Sequence, residues 1–171
     1  MHNSRFLFFF AAAIGLLAIH GCNGPSLPET SPVDGTLRYQ GKPVENAIVI
    51  FSRDSSSIAN GEVAMGTTDA EGKFILTTHV GSEADVKGAV PGQYQVTVSK
   101  HIPPPGMSES EYQAKAEAVN KIAEAGGMAA PDQQLPQTVE MFPAKYSAAG
   151  QSEITAEVTP GQPNHFDFDL Q

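Results

Sequence analysis

The sequence predicts an all-β fold: a two-layer sandwich of about seven strands with one inserted α-helix over about 109–125. Three observations predict it. Short segments alternate apolar and polar residues with a period of two. Gly 16 and Pro 13 supply turn residues between those segments. One interior stretch departs from the alternation and carries its apolar residues at helical spacing instead. A chain of 171 residues is long enough to bury a core without disulfide or metal support.

The strands follow in order. Val33, Gly35, Leu37 and Tyr39 alternate with Asp34, Thr36 and Arg38, and Gln40-Gly41 closes the segment as a turn. Ala47 to Phe51 is apolar on both faces, the pattern of a central strand. Val63, Met65 and Thr67 alternate with Ala64, Gly66 and Thr68. Asp69-Ala70-Glu71-Gly72 is a hairpin turn, and Phe74, Leu76 and Thr78 form the return strand. Tyr94, Val96 and Val98 follow Pro91-Gly92. Ile154, Ala156 and Val158, then Phe166, Phe168 and Leu170, complete the set. One sheet would leave an apolar face wet, so two sheets must close on each other, as in immunoglobulin-like or transthyretin-like sandwiches. The expected core comprises Phe51, Phe74, Tyr94, Val96, Val98, Ile154, Val158, Phe166 and Phe168.

Residues 101–150 interrupt the pattern. His101 to Gly106 is a proline-rich exit. Ser108 and Glu111 have the spacing of a capping box, in which each side chain satisfies the other's backbone amide. Tyr112, Ala116, Val119, Ile122 and Ala123 form one stripe, and Gly126-Gly127 ends the helix. A lone helix of this length is marginal in water, so it is expected to lie on the sandwich through Tyr112 and Val119. Met128 to Met141 reads as loop.

The N-terminus has a different character. Arg5 precedes an unbroken apolar run from Phe6 to Ile19, the length of a signal h-region and short for a membrane span. The run leads into Ile19-His20-Gly21-Cys22, which resembles the lipobox of bacterial lipoproteins, with His20 standing where a small residue is usual. Cleavage is expected between Gly21 and Cys22, with lipidation of Cys22. Cys22 is the only cysteine, so no intramolecular disulfide can form. The domains are then a signal peptide over 1–21, a lipidated tether over 22–32 and a β-sandwich over 33–171 with its helical insertion at 101–150. The tether is rich in Pro and Gly, and about ten residues at ~3.3 Å each hold the domain within ~35 Å of the membrane.

Charge narrows the partners. The formal net charge of -9 becomes -10 once residues 1–21, whose one charged side chain is Arg5, are removed. Nucleic acid binding rewards clustered Lys and Arg, so it is not expected, and neither is electrostatic docking on anionic lipid.

Several segments also resemble a known family. Gly41-Lys42-Pro43-Val44, Ala47-Ile48-Val49, Thr68 to Phe74, and Gly88 to Val96 are similar to the carboxypeptidase regulatory-like, or transthyretin-like, domain. Phe142 to Tyr146 and Asn164 to Phe168 are similar to small bacterial lipoproteins built on that domain. Asn46 stands where the family has Gly, and Asn is the next-best residue for a left-handed backbone. The resemblance implies a non-catalytic domain. Other transthyretin-like proteins hydrolyse hydroxyisourate and end in a Tyr-Arg-Gly-Ser motif, whereas this chain ends Phe168-Asp169-Leu170-Gln171.

No catalytic, cofactor or metal residues are expected. His79, His101 and His165 are widely spaced and read as solvent-facing, against the converging ligands that zinc needs. Tyr39, Tyr94, Tyr112 and Tyr146 form no iron-ligand pattern with them. Asp69 and Glu71 are too few oxygens for calcium. No Gly-x-Ser-x-Gly elbow occurs. Asp167 and Asp169 share a face that reads as solvated. The expected function is a non-enzymatic lipoprotein anchored in the cell envelope through Cys22. Its role would be structural, or interaction with an envelope protein through a strand edge. The alternatives are a small-ligand or carbohydrate-binding module and, third, an enzyme.

Overall fold

A computed structural model describes residues 27–53, 63–80 and 84–171. The expected sandwich is present. One sheet contains β1 (Val33–Tyr39), flanked by β12 (Asn164–Leu170) on one side and by β2 (Lys42–Pro43) and β5 (Lys73–Ile75) on the other. The second runs in the order β11 (Ile154–Val158), β8 (Gly92–Ser99), β3 (Ile48–Ser52), β4 (Ala64–Thr67), β6 (Thr77–Val80), β7 (Ala84–Lys87). A short hairpin joins β9 (His101–Ile102) to β10 (Val139–Glu140).

Two turns show how local chemistry sets the register. Gln40 (φ 52) and Gly41 (φ 74) are both left-handed, and Tyr39 pairs with Lys42 across them. That two-residue turn matches the twist of the strands it joins. Asn46 is left-handed as well (φ 56). In the Asp69–Gly72 turn, the Asp69 carboxylate accepts hydrogen bonds from the amides of Glu71 and Lys73 and replaces the missing ladder bonds.

The expected return strand is split. Leu76 donates its amide to the Val33 carbonyl of the first sheet and accepts from Gly88 of the second. The chain changes sheets there, so β5 and β6 are separate strands and one side of the sandwich is closed. The other side is open, with β11 and β12 as facing edges.

Phe51 is the hub of the core. It is fully buried, and its ring lies 5.7 Å from Tyr94, 5.5 Å from Phe166 and 6.3 Å from Phe168. Phe74 stacks on Phe168 at 6.1 Å. Val33, Leu37, Val49, Val96, Val98 and Val158 complete the packing. Ile154, Phe166 and Phe168 were expected inside, but they are only half-buried because they lie on the two open edges. β3 is central and apolar on both faces as expected, yet only its inner face is fully covered, since Ile48 is 43% exposed on the other.

Helix α1 (Glu109–Glu124) has the expected capping box of Ser108 and Glu111. It does not lie on the sandwich as expected, because none of its residues is buried. Lys115 instead reaches the Asp132 carbonyl of the segment that follows the helix. The stripe is too rich in Ala to bury much area. Helix α2 (Ala144–Ser147) does dock: Tyr146 is buried, and its hydroxyl donates to the Gln171 carbonyl at 3.1 Å. At the other end Ser31, inside the expected tether, exchanges backbone hydrogen bonds with Ala89 and is 2% exposed. The folded unit therefore begins before Val33.

Candidate functional site

β1 and β12 run parallel, in a register that sets Asp34 beside His165, Thr36 beside Asp167 and Arg38 beside Asp169 on the outer face. The first and last strands thereby build a polar cluster that neither contains alone. His165 Nδ1 lies 2.7 Å from Asp34 Oδ2, and Nε2 lies 3.3 Å from Asp167 Oδ1. The Thr36 hydroxyl donates to Asp167 Oδ1 at 2.5 Å.

The electrostatics follow from these bonds. The hydrogen bond from His165 to Asp34 raises the imidazole above its ordinary 6.5, and the charges of Asp34 and Asp167 add to that. The Thr36 hydroxyl, helped by the charge of His165, holds Asp167 below its ordinary 3.8. Both side chains are more than half exposed, so solvent screens the energies. Chemically the cluster is turned in on itself. Each imidazole nitrogen already faces a carboxylate, leaving neither free to take a proton from a substrate.

Among the described residues the other two histidines also stand near acids. His79 Nδ1 is 2.6 Å from Asp85 across β6–β7, and His101 is 4.0 Å from Glu140 across β9–β10. The three thus stand in three different places. They are exposed as expected, and His79 and His165 are each hydrogen-bonded to an acid. Sequence reasoning missed the partnership of Asp34 with His165 because the two are 131 positions apart.

Glu140 is the most enclosed carboxylate of the group. It accepts from the Ser99 hydroxyl at 2.6 Å and from the amides of Lys100 at 3.1 Å and Phe142 at 3.0 Å. Burial pushes its pKa up, but the Phe142 amide, the Ser99 hydroxyl, the Lys100 amide and His101 together hold it below the ordinary 4.5. It fixes the point where the insertion rejoins the sandwich.

A trough of about 900 Å³ crosses β1 and β5 beside the cluster, with Ile75, Lys73, Lys87 and His165 among its lining. Ile75 is 68% exposed there. Among the described residues, no group of three or more His, Cys, Asp or Glu side chains is arranged to hold a metal ion, and no helix is long and apolar enough to cross a membrane. Gly21 and Cys22 lie outside the described residues. No family model matches the chain, and neither a curated protein nor a solved structure is significantly similar to it.

Proposed function

We propose that the chain is a lipid-anchored, non-enzymatic protein of the bacterial cell envelope. It is held to a membrane through acylated Cys22 and acts through contacts of its β-sandwich with other protein. The observation that carries the reading is the apolar run Phe6–Ile19 ending in Ile19-His20-Gly21-Cys22, upstream of the β-sandwich. A cysteine bearing two or three acyl chains is held durably, since each buried methylene contributes ~0.8 kcal/mol and one chain alone binds marginally. Ser31 is docked in the fold, so the tether is short and keeps the sandwich near the surface. The inward-turned hydrogen bonds of Asp34, His165 and Asp167 support a structural role for that cluster. The left-handed Asn46 and the Asp69–Gly72 turn support the likeness to carboxypeptidase regulatory-like domains.

Mass spectrometry of the mature N-terminus tests the proposal. The expected product starts at Cys22 and carries the added mass of a diacylglyceryl group, and Cys22→Ala abolishes processing. An unmodified Cys22, or cleavage elsewhere, overturns it. The trough beside Ile75 favours one second reading, a small-ligand module. Saturable binding of an envelope glycan or lipid fragment, lost in Ile75→Asp, would select that reading instead.

A further inference from the structure

The free edge of β12 has a defined pattern. The Asn164 amide donates to the Pro32 carbonyl, and the Leu170 carbonyl accepts from the Gln40 amide. In a parallel ladder, alternate residues turn both backbone groups to one neighbour. The even residues of β12 therefore face β1, while His165, Asp167 and Asp169 aim their amides and carbonyls outward. Among the described residues nothing pairs with those outward groups. Phe166 and Phe168 are half-buried on the flank of the same edge, in contrast to the fully covered Phe51.

We propose that this edge pairs with a second copy of itself, β12 against β12 in antiparallel register about a two-fold axis at Phe166. Charge selects both the partner and the register. With the axis at Phe166, His165 lies opposite Asp167 of the second copy, twice, and Phe166 meets Phe166 on the inner face. Moving the axis to Asp167 sets two carboxylates directly opposite each other. Moving it to Phe168 sets Asp167 against Asp169. Opposite charges across a pair stabilise it and like charges oppose it. All three registers draw their hydrogen bonds from the outward-facing residues, and of the three only the first matches acid with base at each ionisable position of the overlap, Asn164 to Phe168.

The geometry also suits two copies on one membrane, and in this respect the proposal rests on the anchored reading. β1 is parallel to β12, so antiparallel pairing sends the two tethers from opposite ends of the joined strands. The tether origins are offset by four residues, roughly 13 Å along the strands at ~3.3 Å per residue, and lie three strand spacings apart, roughly 14 Å across them, so they are roughly 20 Å apart, within the span of about eight tether residues from each chain. In this register five of the seven residues of the edge overlap, which makes a small interface. Confinement to one surface raises the effective concentration that such an interface needs.

The test uses the full-length processed protein in detergent. His165→Cys and Asp167→Cys are purified separately and then mixed. A disulfide-linked dimer should form in the mixture and far less in either variant alone, because position 165 faces 167 and not itself. In parallel, Asp167→Pro removes one outward amide, which an edge strand tolerates. It should weaken self-association, read by sedimentation, by roughly tenfold or more while the melt stays cooperative. Should Asp167→Pro fail to fold, the cysteine mixture decides alone. A monomer at all concentrations, equal cross-linking in single variants and mixture, or a dimer indifferent to Asp167→Pro overturns the proposal. So does a wild-type monomer whose edge is filled by a strand of another protein. The mass of the same sample reads Cys22 independently: an acylated monomer refutes only the pairing, and an unacylated dimer refutes only the anchor.

Discussion

Phe51 in β3 is covered by three aromatic rings and has no exposed surface, whereas α1, sixteen residues long, buries none of its side chains. Both segments have good local chemistry. β3 is a run of β-branched and aromatic residues, and α1 has a capping box and favourably placed charges. The difference lies in what each finds to pack against. β3 lies between β8 and β4 with a second sheet above it. α1 leaves through the β9–β10 hairpin, and its Lys115 reaches the segment that follows it. A cap stabilises a helix end by about 1 kcal/mol, while a buried Phe contributes several times that. Local order and tertiary stability are thus separable in this chain.

The largest effect should come from the sandwich side of that contrast. Phe51→Ala removes the hub and should cost about 3–5 kcal/mol in chemical denaturation. Phe166→Ala should cost less, because its ring is already partly wet at the open edge. Equal losses would mean that the edge is as well packed as the centre.

The junction between the regions comes next. Glu140→Gln leaves one acceptor oxygen where the Ser99 hydroxyl and the amides of Lys100 and Phe142 now share two, and it faces a donor with an NH₂ group. A loss of about 1–2 kcal/mol is expected at pH 7. The wild-type contribution is present above the ordinary Glu value of 4.5 and disappears as pH falls through the lowered folded value. A flat difference between wild type and Glu140→Gln from pH 7 to pH 3 would contradict this.

The surface clasp between β1 and β12 is smaller and has two flanks. His165 is raised, so its contribution is complete below 6.5 and fades as pH rises through the higher folded value. Asp167 is lowered, so its share holds above 3.8 and fades as pH falls. Melting temperatures of wild type minus His165→Ala should therefore peak between those limits and shrink in high salt. A difference that grows above pH 8 would reverse the assignment. The smallest effect of all should follow replacement of residues 103–138 by a short Gly/Ser linker. The melting midpoint of the remaining domain should shift by no more than about 2 °C. Loss of cooperativity would show that α1 is integral.

Legibility in the sequence divides along the same line. β1, β8, β11 and β12 were readable because one inner face stamps a period of two on each. The ends of α1 were readable because Ser108 and Glu111 act within four residues. The break at Leu76 was not, since its side chain keeps the alternation while its backbone changes sheets. Gly35 reads as a weak apolar position, but a Cβ there would collide with the Phe166 carbonyl and the Phe74 ring. The parallel pairing of the first and last strands depends on a register set by the whole fold, so the union of Asp34 with His165 was hidden as well. The docking of α1 was misjudged for a related reason: a stripe at helical spacing says which face would pack, not whether anything stands opposite it.

Amide hydrogen exchange on the full-length protein tests the separation of the two regions most directly. The amides of β3, β8 and the even positions of β12 should exchange only by global unfolding. Those of α1 should exchange at least ~100-fold faster through local opening, in a way that Phe51→Ala leaves unchanged. Protection of α1 equal to that of β8, falling with it in Phe51→Ala, would show that helix and sandwich are one cooperative unit and contradict the account.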